Sequence, residues 1–326
     1  MDSHDTLGEA LAMDYIPAKH ILIRSKSTAW FGTDHTVNLY RGCCHGCLYC
    51  DSRSDCYRNP DFDRVTAKSD ALRILRDELA RKVRPAFIAM GAMSDPYNPF
   101  EEELRLTRHA LELIDAYDCG VSVDTKSDLI VRDIDLYQSI QAHSPVICKL
   151  TITTVDEDLA AKVEPRAPSP ARRRTASAPH RRPAAPGRWP GGQPHRPAPA
   201  GLFCGVLLMP VLPFLEDRPE QVLSVVDRSA DAGAKFIYSG FGVTMRQGQR
   251  EYFLRELDRA FPGEHLSRRY LARYGDRYRC PSPRARELWE VFAARCRERG
   301  LLYQMPHIVS AATRGYGDRQ LTFFDY

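Results

Sequence analysis

The sequence lacks the features of several protein classes. No uncharged apolar run approaches the ~20 residues that a membrane-spanning helix needs. Residues 1–11 include acidic side chains and no basic segment followed by an apolar one, so no secretory signal is visible. We therefore expect a cytoplasmic protein whose ten cysteines are thiols or metal ligands rather than disulfides.

The positive charge of the chain is concentrated in one segment. Residues 165–200 contain eight arginines and no lysine, aspartate or glutamate, so the net charge of +4 becomes −4 for the rest of the chain. The net charge therefore gives no evidence for a nucleic-acid partner. With 326 residues, the chain is long enough for one large α/β barrel or two ordinary domains.

Short apolar runs rich in β-branched residues alternate with amphipathic stretches along most of the chain. This alternation predicts a parallel sheet, either open or closed into a barrel. From residue 249 onward the pattern is mostly helical. The predicted strands are 85–90, 120–124, 146–151, 202–211 and 234–238, and the predicted helices are 70–83, 104–117, 130–141 and 219–232.

The segment 172–200 interrupts this alternation where a helix is expected between two strands. It contains seven prolines and little apolar periodicity, which disfavours a helix. Two interpretations stay open. The segment is either a disordered surface insertion or a stretch read in a shifted frame of a GC-rich gene, and DNA resequencing would distinguish them.

The strongest motif is NLYRGCCHGCLYC at residues 38–50, in which Cys43, Cys47 and Cys50 follow C-x3-C-x2-C spacing. Three thiolates so close in sequence can surround one face of an iron–sulfur cube and leave one iron without a protein ligand. Gly42 and Gly46 allow the tight turns that such a loop needs. Cys44 is out of register with the other three.

A zinc site is the alternative reading of the same cysteines, with His45 or Cys56 as the additional ligand. Zinc sites usually combine two separated pairs of ligands. No second C-x2-C or H-x3-H motif follows in this sequence, which disfavours zinc.

Further polar blocks follow the predicted strands. GAMSDPYNPFE at 91–101 and DTKS at 124–127 come directly after strands, and EPRAPS at 164–169 comes later after the third strand. Barrel enzymes place their sites at these carboxyl ends of strands. Asp95 is also interpretable as a helix N-cap beside Pro96, and Arg132 with Asp133 as a surface pair at a helix start.

Together, these motifs resemble the radical S-adenosylmethionine (SAM) superfamily, and specifically its spore-photoproduct-lyase-like branch. The resemblance covers about residues 17–171 and 201–245. It implies a partial (β/α)6 TIM-like barrel, open on one side, with a small helical C-terminal extension. It also implies a 4Fe-4S cluster on the three cysteines and SAM chelated to the open iron, which yields a 5′-deoxyadenosyl radical on reduction.

The resemblance also implies roles for further residues. Ser94 and Lys126 would bind the methionine end of SAM, and Thr151 or Thr153 would lie near its ribose. Tyr49 is the aromatic residue that often precedes the last cysteine of the loop, and we assign it to the cofactor site. A lysine ammonium can pair with a carboxylate, and a serine hydroxyl can accept an amino hydrogen.

One position departs from the lyase proper. The lyase has a hydrogen-donating cysteine two residues before the serine of the SD dipeptide, where this chain has Ala92. A thymine-dimer lyase would therefore need another donor, and the sequence alone does not place Cys119, Cys148 or Cys204 at the site.

The C-terminal region suggests partners. Residues 320–324 (QLTFF), through Gln320, Leu321, Phe323 and Phe324, resemble the peptide by which bacterial repair proteins dock on the sliding clamp, although a tail packed on its own domain is equally compatible. Arginines and tyrosines interleave between residues 268 and 279. They either bind nucleic acid or form an ordinary solvated surface.

We therefore expect a radical SAM enzyme, lyase-like, acting on DNA or another nucleic acid in repair and reduced by flavodoxin or ferredoxin. The alternative is a non-catalytic zinc- or cluster-stabilised binding module attached to replication or repair machinery. The expected organisation is an N-terminal tail (1–16), the barrel (17–248, interrupted by 172–200) and the C-terminal extension (249–326).

Overall fold

The computed structural model describes residues 13–177 and 201–316. Within these residues the chain forms a mixed α/β fold. The strands are β1 (Asp14–Ile16), β2 (Leu22–Arg24), β3 (His35–Val37), β4 (Tyr40–Arg41), β5 (Thr66–Lys68), β6 (Phe87–Met90), β7 (Gly120–Thr125), β8 (Val146–Thr151), β9 (Cys204–Leu208), β10 (Phe236–Ser239), β11 (Gly242–Thr244) and β12 (Arg279–Pro281).

The helices follow the strands along most of the chain, and the C-terminal third is mostly helical with three short strands, β10, β11 and β12. They are α1 (Ala71–Ala80), α2 (Glu101–Leu104), α3 (Leu106–Ala116), α4 (Ile134–Gln141), α5 (Glu157–Val163), α6 (Pro170–Ala176), α7 (Pro219–Asp231), α8 (Gln249–Ala260), α9 (Leu266–Tyr274), α10 (Ala285–Glu298) and α11 (Met305–Thr313).

The main sheet has seven strands in the order β10-β9-β8-β7-β6-β3-β2. The six strands β3, β6, β7, β8, β9 and β10 lie side by side in this order, and each is parallel to its neighbours. Strand β2 pairs antiparallel with β3 at one edge. All six residues of β8 are buried, as expected for a parallel strand that is covered on both faces. The carboxyl ends of the parallel strands therefore meet at one edge of the sheet.

The predicted strands and helices are all present, and only their ends differ. The strand at 146–151 matches β8 at both ends, whereas the strand at 202–211 is shorter and corresponds to β9. The helix predicted at 130–141 begins as α4 at Ile134, because Asp128–Asp133 forms a 3-10 helix instead.

Two layers cover the faces of the sheet. On one face, alternate residues of the strands pack against helices α1, α3 and α4, and Cys148 and Cys204 belong to this core. On the other face, Phe31 and α11 pack with strand residues such as Ile147 and Phe236. The buried Lys149 also points to this second face, where its Nζ lies 2.7 Å from Asp124 Oδ1.

Helix α6 extends into the segment that the sequence predicts to be irregular from residue 172. The chain is helical through Ala176, so the predicted start of the irregular segment at residue 172 is wrong. Ser169 caps this helix through the backbone N–H of Arg172, and Pro170 occupies its first turn, where proline is tolerated. The buried Arg173 then attaches the helix to the rest of the fold by its ion pair with Glu164.

Several expectations fall outside the described residues. These are most of the N-terminal tail, residues 178–200 of the proline-rich segment, and the clamp-binding residues Gln320, Leu321, Phe323 and Phe324. The domain boundaries at 17 and 248 stay predictions. In the part of the chain that the structure describes, no helix combines the length and apolarity needed to cross a membrane.

Gly91, which follows β6, provides a test of how tightly the strand ends pack. Its φ is +103°, and a Cβ at this position would lie 2.0 Å from the backbone oxygen of Asp124. We expect Gly91→Ala to lower the melting temperature strongly or to prevent folding, because both the backbone conformation and the contact are unfavourable.

Gly263 is the matched control for this substitution. Its φ is +85°, but a Cβ added there would have no atom within 4 Å. Gly263→Ala should therefore cost only about 1 kcal/mol of stability, from backbone strain alone. Equal melting temperatures for the two variants, measured by circular dichroism, would contradict this account of the packing.

Candidate functional site

The loop at residues 42–50, which we call the cysteine loop, follows β4, an edge strand of a separate small sheet in the order β1-β5-β4. The loop contacts residues that follow β6 and β7 at the carboxyl edge of the main sheet. Gly42 has φ +81°, and a Cβ there would lie 2.2 Å from the Arg64 backbone oxygen. Only glycine fits this position without strain. Backbone hydrogen bonds from Cys43 to Phe62 (2.9 Å) and from Leu48 to Val163 (3.0 Å) fix the two ends of the loop.

The three cysteines of the motif lie in a poorly solvated region. Cys47 is 6% exposed, and Cys43 and Cys50 are partly buried. Burial raises the pKa of the Cys47 thiol to about 12, and it also raises the pKa of Cys43 and Cys50. Thiolates at these positions need nearby positive charge for stabilisation.

The cysteine loop offers three thiols, the number that a cube with one free corner uses. Among the described residues, no three histidine, cysteine or acidic side chains are arranged to hold a metal ion, and this finding includes the three motif cysteines. His45 Nδ1 faces Asp95 Oδ2 at 3.3 Å, and the exposed Cys56 contacts Arg246 at 3.7 Å. The contact with Asp95 leaves His45 Nε2 able to bind a metal, so the preference for a cluster over zinc rests on the ligand spacing in the sequence.

Ser94 and Asp95 connect the loop after β6 to its neighbours. The Ser94 hydroxyl donates to the backbone oxygen of Gly42, so it lies against the cysteine loop and keeps oxygen lone pairs free to accept. Asp95 accepts hydrogen bonds from the Thr125 hydroxyl (2.6 Å) and the Lys126 backbone N–H (2.8 Å). It caps the turn at Tyr97 rather than a helix, so the N-cap interpretation is wrong.

Lys126 reaches the cysteine loop from the end of β7. Its Nζ lies 5.5 Å from the centroid of the Tyr49 ring, and within the described residues this ammonium makes no hydrogen bond or ion pair. Burial lowers the pKa of Lys126, but the adjacent Cys47 and Glu164 outweigh this effect, so its pKa is raised overall. Lys126 is therefore a cation that is not ion-paired with a carboxylate among the described residues, close to Cys47 and Cys50.

A buried ion pair links the cysteine loop to β8 and α6. The Tyr49 hydroxyl donates to Glu164, which also pairs with Arg173 at 2.6 Å. Arg173 is 1% exposed and donates to the backbone oxygen of Thr151 at 2.8 Å. Burial raises the pKa of Glu164, but Arg173 and Lys126 lower it by more, so the carboxylate stays charged.

Thr153 and Glu216 form a second buried polar group beside this pair. Glu216 Oε2 accepts from the Leu212 backbone N–H at 2.8 Å, and the Thr153 side chain interacts with the same carboxyl group. Burial raises the pKa of Glu216 to about 8, whereas the Leu212 N–H and Thr153 lower it by less, so this carboxyl group is mostly neutral at pH 7.

The structure thus brings the candidate cofactor residues to one edge of the sheet. These contacts connect the cysteine loop with Ser94, Lys126, Tyr49 and Thr151, and Thr153 lies two residues beyond Thr151. Sequence reasoning missed Arg173 and Glu216. The EPRAPS block at 164–169 gave a signal for Glu164, but nothing in a single sequence indicates that Arg173 would be its buried partner.

Three cysteines considered as hydrogen donors, and the pair Arg132 and Asp133, lie outside the group of residues around the cysteine loop. Cys148 and Cys204 face the helix-covered core, and Cys119 precedes β7, at the opposite end from the site. The interpretation of Arg132 and Asp133 as a surface pair is wrong. Asp133 is fully buried, and Arg132 also pairs with the buried Glu101 at 3.0 Å.

The chain matches no protein-family model. It is 31% identical over 252 residues to an uncharacterized protein of Mycobacterium tuberculosis (strain ATCC 25618 / H37Rv), and this match covers 75% of the chain and 67% of that protein. Two solved structures are similar at 89% coverage of this chain and 81% of theirs. They are spore photoproduct lyase complexed with dinucleoside spore photoproduct (TM-score 0.58, 14% identity) and a double mutant of that lyase with bound AdoMet and dinucleoside spore photoproduct (TM-score 0.58, 13% identity).

The structural likeness defines the class of fold: a mixed α/β protein with a mainly parallel central sheet, similar to spore photoproduct lyase. The sequence match is more specific. The chain belongs to the same family as the uncharacterized mycobacterial protein.

The buried pair of Glu164 and Arg173 gives a test of the site's internal structure. We expect Arg173→Met to lower the free energy of unfolding by about 3–5 kcal/mol, because it leaves the Glu164 carboxylate buried without its partner. The double variant Arg173→Met, Glu164→Gln should recover much of this loss.

The adjacent Arg172 supplies the matched control. It pairs with Asp128 at 2.8 Å on an exposed surface, so Arg172→Met should cost no more than about 1 kcal/mol. Chemical denaturation followed by circular dichroism measures all three variants. A loss for Arg172→Met as large as that for Arg173→Met would show that the burial of the pair has no special importance.

Proposed function

We propose that this protein is a radical SAM enzyme whose 4Fe-4S cluster binds to Cys43, Cys47 and Cys50. The observation that carries the proposal is the convergence of this loop with an unpaired lysine, Lys126, at the carboxyl edge of a parallel sheet. The fold likeness to spore photoproduct lyase supports it. We interpret the six parallel strands as a partial (β/α)6 barrel.

When bound together, the cluster and SAM supply one-electron reductive cleavage of the cofactor, which produces a radical that abstracts hydrogen from a substrate. The residues of this chain would bind and orient the cofactor. The Lys126 ammonium would pair with the carboxylate of SAM, and the Ser94 oxygen would accept from its amino group. Thr151 or Thr153 would contact the ribose.

Tyr49 and Glu164 would keep this arrangement in place. Tyr49 lies between the last two positions of the cysteine motif and receives Lys126 on its ring face. Its hydroxyl is held by Glu164, so the loop cannot move independently of β8 and α6. A dry and rigid site of this kind protects a reactive intermediate from water.

We further propose a nucleic-acid substrate, with a role in DNA repair. Two structural neighbours hold dinucleoside spore photoproduct, which supports a substrate of this class. The reaction differs in its hydrogen donor, because Ala92 stands where the lyase has cysteine and Cys119, Cys148 and Cys204 lie away from the site. A flavodoxin or ferredoxin would reduce the cluster, the sliding clamp would bind residues 320–324, and the protein would act in the cytoplasm.

Replacement of the cysteines tests the cluster directly. Anaerobically reconstituted protein should contain about four iron and four sulfide per chain and should form 5′-deoxyadenosine from SAM when reduced. We expect Cys43→Ala, Cys47→Ala and Cys50→Ala each to lose the brown colour and this product. Iron and labile sulfide assays and liquid chromatography measure the two results.

Cys44→Ala is the matched control, since Cys44 lies in the same loop out of register with the three proposed ligands. It should keep the iron content and the product. Tightly bound zinc in a colourless wild-type protein, with no SAM turnover, would instead favour the non-catalytic binding module.

Replacement of Lys126 tests the cofactor site. Lys126→Met should raise the dissociation constant for SAM by at least about tenfold, because an ion pair with the cofactor carboxylate is lost. Iron content should not change. Isothermal titration calorimetry on reconstituted protein measures the affinity, and Lys162→Met, an exposed lysine on α5, is the control. Unchanged SAM affinity in Lys126→Met would remove this residue from the site.

A further inference from the structure

The C-terminal extension has a strongly basic surface. Helix α9, the turn after it and β12 carry five exposed arginines, none of which forms an ion pair with another described residue. The nearby acids Asp258 and Asp276 are engaged by Ser267 and Arg250 respectively. We call this surface the arginine face; it consists of Arg268, Arg269, Arg273, Arg277 and Arg279.

The opposite side of α9 belongs to the same apolar core as the cysteine loop. Leu266, Tyr270 and Tyr274 of this helix are buried in one apolar cluster with Cys47 and Tyr49. Helix α8 links the two: its Phe253 packs on Tyr270 (ring centroids 5.2 Å apart), and its Gln249 Nε2 donates to the Tyr49 backbone oxygen at 3.2 Å. A protein bound at the arginine face would therefore contact the same C-terminal extension that packs against the cysteine loop.

A chain of contacts joins the same surface to the last cysteine of the motif. The exposed Tyr278 lies between Arg277 and Arg279, and its hydroxyl accepts from Arg246 Nη2 at 2.9 Å. Arg246 Nε donates in turn to Asp51 Oδ1 at 3.2 Å, and Asp51 is bonded to Cys50 in the chain. Two side-chain contacts thus connect the protein surface with the cysteine loop.

We propose that the arginine face docks an acidic one-electron carrier of the flavodoxin or ferredoxin type, which reduces the cluster. One electron leaves the reduced carrier, which is oxidised by one electron, and the cluster gains it; no atom is transferred. The inference rests on the proposed function, because it needs a cluster on the cysteine loop. Complementary charge steers such encounters and speeds association.

The position of the face favours an electron carrier over a nucleic acid. The proposed cofactor residues Ser94, Lys126 and Thr151 lie at the strand ends, whereas the arginine face belongs to the C-terminal extension, which contacts the loop through Gln249. A substrate must reach the cofactor, but an electron can enter through the cysteine side. Tyr270 and Tyr274, two tyrosines of the segment 268–279, are buried and therefore unavailable for stacking on bases.

Charge reversal on the face tests the proposal. The variant Arg268→Glu, Arg273→Glu, Arg277→Glu is compared with a control of equal charge change on distant exposed arginines, Arg81→Glu, Arg84→Glu, Arg228→Glu. Stopped-flow absorbance follows cluster reduction by an acidic flavodoxin hydroquinone under anaerobic conditions. Calorimetry measures binding of the oxidised flavodoxin, which requires no turnover.

We expect the face variant to lower the second-order rate of reduction by at least about tenfold at about 20 mM salt, and the control to stay within about twofold of wild type. The wild-type rate should fall as salt rises to about 500 mM, because screening weakens the attraction. Reduction by dithionite, a small reductant that does not need docking, should be the same in all three proteins.

The possible failures are distinguishable. Absence of iron and sulfide from wild-type protein would overturn the proposed function and this inference together. A normal cluster, reducible by dithionite, with equal flavodoxin rates in the face variant and wild type would overturn only the inference. The inference alone would also be overturned if the face variant kept its flavodoxin rate but lost binding to a fluorescent single-stranded oligonucleotide. That result would show that the arginine face binds nucleic acid.

Discussion

The site depends on how one buried carboxylate is placed between a tyrosine and an arginine. Glu164 accepts from Tyr49 in the cysteine loop and pairs with Arg173 on α6, while Arg173 binds the backbone at the end of β8. A buried carboxylate is stable only with such partners. The loop, the strand and the helix are therefore fixed relative to one another by a single group.

The charges around this group also define what the site can hold. Lys126 and Arg173 are cations, Glu164 is the charged acid between them, and Glu216 is neutral below its pKa of about 8. One positive charge therefore remains without a negative partner among these side chains. A site of this kind favours anionic groups, such as thiolates and the carboxylate of an amino acid.

The sequence predicts those parts of the fold and site that depend on neighbours along the chain. Strand β8 and helix α7 follow from apolar periodicity, and the cysteine loop follows from motif spacing together with glycines that the backbone requires. The burial of Arg173 was not predictable, because it depends on the ion pair with the buried Glu164, which only the folded structure shows. Burial of Tyr270 and Tyr274 likewise depends on an apolar cluster whose members extend from Cys47 to Cys280, with Phe214 as a shared neighbour.

The placement of the other cysteines limits which thiols could take part in the proposed reaction. In the described part of the chain, Cys148 and Cys204 are held in the core between sheet and helices, and Cys119 lies at the opposite end of β7. Movement of these thiols to the cofactor edge would require the sheet to unfold. Ala92 is exposed in the loop after β6, and this position carries no thiol. In the proposed reaction, the return of hydrogen to a substrate radical would therefore need a group other than Cys119, Cys148 and Cys204.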